Sequence, residues 1–398
     1  AHREADGQLL ALRWTAHREG GVNLGLLRMA RARDAADALR IADGVRIPTQ
    51  NLVLADRDGT IAWRLLGLLP RRADGCSRSA SVDTGGCTPW PVASAGHPGI
   101  AAPASGRLWT ANARVVDGEA LRKVGDGGYA FGARARQIRD ALFARQRFAE
   151  RDLLAIQLDD RALLLQPWWG LLQARAKAAP TPAMSALAAA ASRWDGRAAV
   201  DSTSYRLVRG WRRAVHARIA EGFIAPAQSA LGKQFVMPDL PQLEGVAWPL
   251  VTERPPHLLS RRYASWDALF EDAAREVRDE LAQQGPLAAR TWGERNTAAI
   301  CHPLAAAIPV FGKRWLCMPA QALPGDGAMP RVQGPAFGAS ERMVVSPGHE
   351  ADGVLHMPGG QSGHPLSPFW GAGHADWVAG RASPFLPGEA RHRLRLQP

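Results

Sequence analysis

The segment His356–Pro368, HMPGGQSGHPLSP, sets a serine among glycines with a histidine two residues on. A hydroxyl paired with an imidazole is the chemistry of acyl transfer: the serine attacks a carbonyl and the histidine takes its proton. The spacing argues against that chemistry here. A nucleophile elbow reads Gly-x-Ser-x-Gly at a strand-to-helix turn. The order here is Gly360-Gln361-Ser362-Gly363-His364, and Pro365 and Pro368 block a helix in the required register. Residues two apart on an extended chain share a face but rarely meet. Ser362 is therefore expected in a structural Gly-rich turn, not as an attacking group. His349, His356, His364 and His374, with Glu350 and Asp376, form a second candidate set, as metal ligands. Their spacing fits no ligand pattern, so hydrogen-bonded or exposed histidines are the expectation.

The four cysteines fall into two local pairs, Cys76 with Cys87 and Cys301 with Cys317. Neither pair is CxxC, which argues against a zinc site. A Cys76–Cys87 bridge is expected in an oxidising compartment; the state of the other pair stays open.

The elements that would position such residues change along the chain. Asn51–Ala55 reads as a strand, Asp56 to Gly59 as a turn and Thr60–Leu68 as a second strand, a hairpin. Arg71 to Pro103 is rich in Gly, Ser and Pro and reads as a long loop. Gly106–Val116, GRLWTANARVV, reads as a strand. Helical spacing begins after Tyr129, with Ile138, Leu142 and Phe143 on one face. It continues through Arg151–Ala178. It returns in a segment where Val208, Trp211, Val215 and Ile219 follow Asp201 and Ser202 as caps. The clearest helix carries Trp266, Phe270, Ala273, Val277 and Leu281, with Ser265 to cap it and Gly285 to end it. Short strands and turns return from Arg290. The order strands, helices, strands is that of an α+β chain without regular βαβ winding. We expect one interwoven domain over 1–398: strands and loops in 1–130, mainly helix in 131–287, strands and turns in 288–398.

Composition sets the remaining bounds. At 398 residues with 46% hydrophobic content, the chain can bury a large core. The net charge of +12 is mostly arginine interspersed with acids, with lysine only at Lys123, Lys177, Lys233 and Lys313. No clustered basic face or module calls for nucleic acid. No apolar run is long enough for a transmembrane helix.

Seven segments in order carry a resemblance: ALRWTA, ADRDGTIAWRLLGLLPRR, TANARVV, AIQLDD, RWDG, ASERMVV and the stretch from PGGQSGHPLSP through PFLPGEA. Together they resemble the β subunit of the penicillin acylase family, which includes penicillin G, cephalosporin and acyl-homoserine lactone acylases. The resemblance runs from Ala11 to Pro398. It implies the N-terminal-nucleophile hydrolase (Ntn) fold, an αββα sandwich of antiparallel sheets, here incomplete at the N-terminus and carrying a helical insert. It implies a precursor that cleaves itself, so that a new N-terminal serine attacks the amide with its own α-amine as base. That serine would lie upstream of Ala1, and the chain alone is expected to be inactive and to expose a face where upstream strands belong.

Carried over residue by residue, the resemblance makes Asn112 in TANAR the side-chain donor of the oxyanion hole. It makes Arg134 in GARARQI the arginine that organises the site, with Arg136 as the competing choice. It implies no cofactor for catalysis and a structural calcium in the full-length protein, with ligands mainly upstream. No ligand is assigned here, Asp126 being a weak candidate. The implied partners are an α subunit from the same precursor and a small-molecule acyl amide, in a periplasmic or secreted setting. The acyl group is left open among aromatic acyl, long-chain homoserine lactone and lipopeptide amides. The alternative is an inactive homologue or binding module that retains the acyl pocket. The C-terminal Gly-Gly-Gln-Ser-Gly-His-Pro matches a family signature whose expected role is structural.

Overall fold

A computed structural model describes residues 2–3, 9–10, 13–71, 90–125, 128–308 and 311–396. The chain forms two compact units that alternate along the sequence, one of Ala1–Ala135 with Ile224–Gln242 and one of Arg136–Phe223 with Leu243–Pro398. Cys76, Cys87 and Asp126 lie outside the described residues.

The first unit is built on the expected hairpin. Strand β1 (Gln50–Ala55) pairs antiparallel with β2 (Ile61–Leu66), and β2 pairs on its other edge with β3 (Gly99–Ala101). The turn is held by Asp56, whose Oδ1 accepts the amides of Asp58 (3.1 Å) and Thr60 (2.9 Å). Gly59 takes φ +82°, a conformation that favours glycine. The central strand β2 is buried on both faces. Leu66 meets Ala42 and Val45, which follow from helix α1 (Ala35–Ala42), in a small apolar core. Arg64 is buried as well and is satisfied by Asp43 (2.8 Å) and by the carbonyls of Leu39, Leu65 and Ser94.

Two expectations in this unit need correction. The Gly/Pro-rich stretch before residue 103 is not all loop: Val92–Ala93 pairs with Leu69–Pro70, and β3 joins the main sheet. The Gly106–Val116 segment is not a strand. Residues 107–117 have no ladder partner among the described residues; they bend at 111–113, and α2 (Gly118–Val124) follows. The reason is local. Asn112 has φ +60°, which breaks the extended run that its apolar neighbours suggest.

Helix α3 (Ala133–Phe143) starts in the first unit and continues in the second. The second unit is mainly helical: α4 (Glu150–Gln157), α5 (Gln166–Ala178), α6 (Pro182–Ala190), α7 (Thr203–Leu231, which passes into the first unit at Ile224), α8 (Leu243–Glu253), α9 (Trp266–Ala282) and α10 (Trp292–Arg295). Of the predicted caps, those of Ser202 and Ser265 form. Ser202 Oγ accepts the Tyr205 amide at 3.1 Å, and Ser265 Oγ accepts the Ala268 amide at 3.1 Å. Trp168, Leu172, Leu187, Trp211, Leu269 and Phe270 fill one continuous core. Trp168 and Trp211 meet edge to face at 5.8 Å, the geometry that ring quadrupoles favour. Beside this core, β4 (Arg342–Val344) and β5 (Val354–His356) form a ribbon against α4 through Leu154, Val344 and Val354. Cys301 and Cys317 form a disulfide. The architecture is thus α+β with antiparallel pairing, as the segment order implies. Among the described residues no helix is long and apolar enough to cross a membrane.

Candidate active site

Asn112 and Arg134 meet within the first unit. Arg134 Nη2 donates to Asn112 Oδ1 at 2.5 Å and to the Ala111 carbonyl at 2.9 Å. A guanidinium has only donors, so the atom that faces it must be the amide oxygen. The Asn112 NH₂ is thereby turned away from Arg134, with its orientation fixed. The bend is held from the other side as well, because Ala130 N donates to Asn112 O at 2.9 Å. Gln242 Nε2 donates to the Tyr129 carbonyl (2.5 Å), and the Tyr129 hydroxyl to Gly125 O (3.1 Å), which tethers the strap leading into α3.

The surroundings mix exposure and burial. Asn112 is exposed, whereas Arg134 is partly buried, and burial pushes its guanidinium below its usual range. It still carries its charge at neutral pH. Arg134 Nε and Thr110 Oγ1 are buried without a hydrogen-bond partner among the described residues. Unsatisfied groups beside an exposed, fixed amide are common where a structure keeps polar capacity for a ligand. Arg136, the competing choice, is exposed and lies 3.7 Å from Asp140 one turn along α3. The sequence placed Asn112 and Arg134 together but missed the backbone conformation that presents the amide. It also missed Gln242, whose tether no local pattern signals.

The other candidate groups do not assemble a site. Ser362 Oγ interacts with the backbone of its neighbour, accepting the His364 amide at 3.3 Å. His364 Nδ1 accepts the Leu366 amide at 3.1 Å, so the ring is not directed at the hydroxyl. The turn before it requires glycine. Gly360 has φ +72°, and a Cβ there would lie 2.8 Å from the Ala372 nitrogen. His374 Nδ1 accepts the Gly359 amide (3.2 Å) and its ring stacks on Trp377. His356 is 1% exposed. It sits between Arg342 Nη1 on its Nδ1 (2.9 Å) and the Arg381 carbonyl on its Nε2 (2.6 Å). Burial, above all, holds its pKa below the usual imidazole value, so at neutral pH Nδ1 accepts and Nε2–H donates. With both ring nitrogens engaged it cannot ligate. Among the described residues no three His, Cys, Asp or Glu side chains group to hold a metal ion.

With this geometry in view, the comparisons place the chain. Residues 2–392 match the penicillin amidase family model, and the chain belongs to that family. Over 404 aligned residues it is 27% identical to the penicillin acylase 2 proenzyme of Pseudomonas sp. (strain SE83), covering 94% of this chain and 48% of that protein. The chain thus spans about half the length of that curated relative. In three dimensions it resembles the thermostable penicillin G acylase of Alcaligenes faecalis, with a TM-score of 0.58 at 16% identity. That match covers 94% of this chain and 72% of the other, and it identifies the shared fold.

Proposed function

We propose that this chain is part of an amide hydrolase that releases an acyl group from an amine through an acyl-enzyme. In this reading an N-terminal serine, supplied by a segment preceding the chain, attacks the amide carbonyl and its α-amine takes the proton. The carbonyl oxygen becomes an oxyanion and accepts a hydrogen bond from Asn112 Nδ2–H. The α-amine's proton then passes to the leaving amine, and water repeats the cycle on the ester. Arg134 acts as a positioning residue that keeps the amide nitrogen facing the reacting carbon. Membership of the penicillin amidase family supports the reaction class. The name of the Pseudomonas relative, a proenzyme, supports processing of a precursor. The observation that carries the reading is the Arg134–Asn112 contact, because a donor-only partner fixes which end of the amide is free.

The test begins with the whole gene. Its product should yield two chains, the larger beginning with serine by N-terminal sequencing, and should release amine from aromatic or long-chain acyl amides. A single uncleaved chain that releases none would instead mean an acyl-binding protein without turnover.

A further inference from the structure

Helix α7 carries Arg206, Arg209 and Arg213 at i, i+3 and i+7, a stripe along one face. Within the second unit these three line an open cleft of about 340 Å³ together with Val277, Leu281 and Arg295, Arg213 and Arg295 being exposed. That volume is in the range of small-molecule sites. Glu276 and Glu280 also reach its lining, so four arginines face two glutamates and the cavity is cationic. Glu276 is already engaged, with Arg218 Nη1 at 2.8 Å.

The arginines differ in what holds them. Arg206 pairs with Glu294 and donates to the Thr291 carbonyl at 3.0 Å. Arg209 pairs with Asp326 and lies over the Trp292 ring. Among the described residues, Arg213 and Arg295 have neither an ion pair nor a side-chain hydrogen bond. Arg206, only 8% exposed, has its Nε buried without a hydrogen-bond partner among the described residues. Arg213 also lines an adjoining cavity of about 220 Å³, with Arg161 and Arg212. Those two are committed to Asp159 and Glu244. Arg209 and Arg213 line both spaces, and among the described residues Arg213 is the one of the two without an ion pair of its own, with Asp326, the partner of Arg209, acting on Arg213 only at longer range. Burial, then Arg209 and Arg295, push its guanidinium below the usual range.

We propose that this cavity binds a small organic carboxylate, with its oxygens on Arg213 and Arg295 and its apolar body on Val277 and Leu281. A guanidinium fork matches a carboxylate in plane and in spacing. The two glutamates in the lining disfavour a more highly charged ligand such as a phosphate ester. The apolar wall favours an organic body over an inorganic ion.

Calorimetric titration of the full-length protein at low ionic strength tests this, with benzoate as the probe and neutral benzamide as its control. Benzoate should bind saturably and benzamide at least about tenfold more weakly. Arg213→Gln and Arg295→Gln should each weaken benzoate about tenfold or more, and Arg213→Lys should restore part of the loss. Arg278→Gln, an α9 change outside the cavity lining, should leave binding unchanged. Amide hydrolysis should be unaffected in all of these variants, which separates this site from the one proposed above. Absence of benzoate binding, or binding undiminished in Arg213→Gln, would overturn the proposal.

Discussion

The two units of this chain solve opposite problems. In the second, Trp168 is wholly buried among tryptophan, leucine and phenylalanine, and even its polar edge is satisfied, by Glu244 Oε1 at 2.8 Å. In the first, the Asn112 bend is exposed and has a left-handed backbone, and among the described residues Arg134 Nε and Thr110 Oγ1 have no hydrogen-bond partner. The contrast teaches where stability and chemistry reside. Apolar burial fixes the helical unit, whereas the first unit carries a left-handed backbone at the exposed Asn112.

The comparison can be broken most forcefully at Trp168. Trp168→Ala should lower stability in urea unfolding by about 3–5 kcal/mol, the loss typical of an aromatic removed from a closed core. A change under 1 kcal/mol would mean that the unit does not rest on this cluster.

Glu244 comes next. It accepts from Trp168 Nε1 and Arg212, and His216 Nε2 lies 3.0 Å from it. Burial raises its pKa, but the His216, Arg212 and Trp168 partners outweigh burial, and the net direction is down from 4.5. Glu244→Gln leaves Arg212 without its counter-charge and should cost about 3 kcal/mol near neutral pH. A lowered folded pKa contributes stability above the unfolded value and loses it as pH falls through the folded one. The difference between wild type and Glu244→Gln should therefore shrink as pH falls below 4.5. A difference independent of pH would remove the carboxylate from the account.

Ser265→Ala sharpens the comparison further. It deletes the α9 cap and should cost about 1 kcal/mol in the same unfolding measurement. At the low end stands Asn112→Gly: glycine adopts the backbone of the bend freely, and the cost is the Arg134 hydrogen bond alone, about 1 kcal/mol or less with Arg134 still held by the Ala111 carbonyl.

Much of this was legible in the sequence where local rules and global packing agree. The hairpin announced itself through Asp56 and Gly59, and α9 through Ser265 and its apolar stripe. Asn112 and Arg134 were legible only through resemblance, since an isolated asparagine or helix-start arginine carries no signal of its own. The predicted strand over Gly106–Val116 failed because apolar, β-branched composition was read as a ladder, while a positive φ at Asn112 left no partner edge. Gln242 could not have been found, because its contact with Tyr129 joins residues far apart in sequence.

The central claim, that the Asn112 amide serves the reaction and not merely the turn, is tested most directly by kcat of the processed full-length enzyme carrying Asn112→Gly. The account predicts unchanged processing and a loss of stability of no more than about 1 kcal/mol, with kcat reduced about 10²–10³-fold, as for loss of one oxyanion donor. Unaltered kcat in that variant would contradict it, and would leave Asn112 as a residue chosen only for its left-handed backbone.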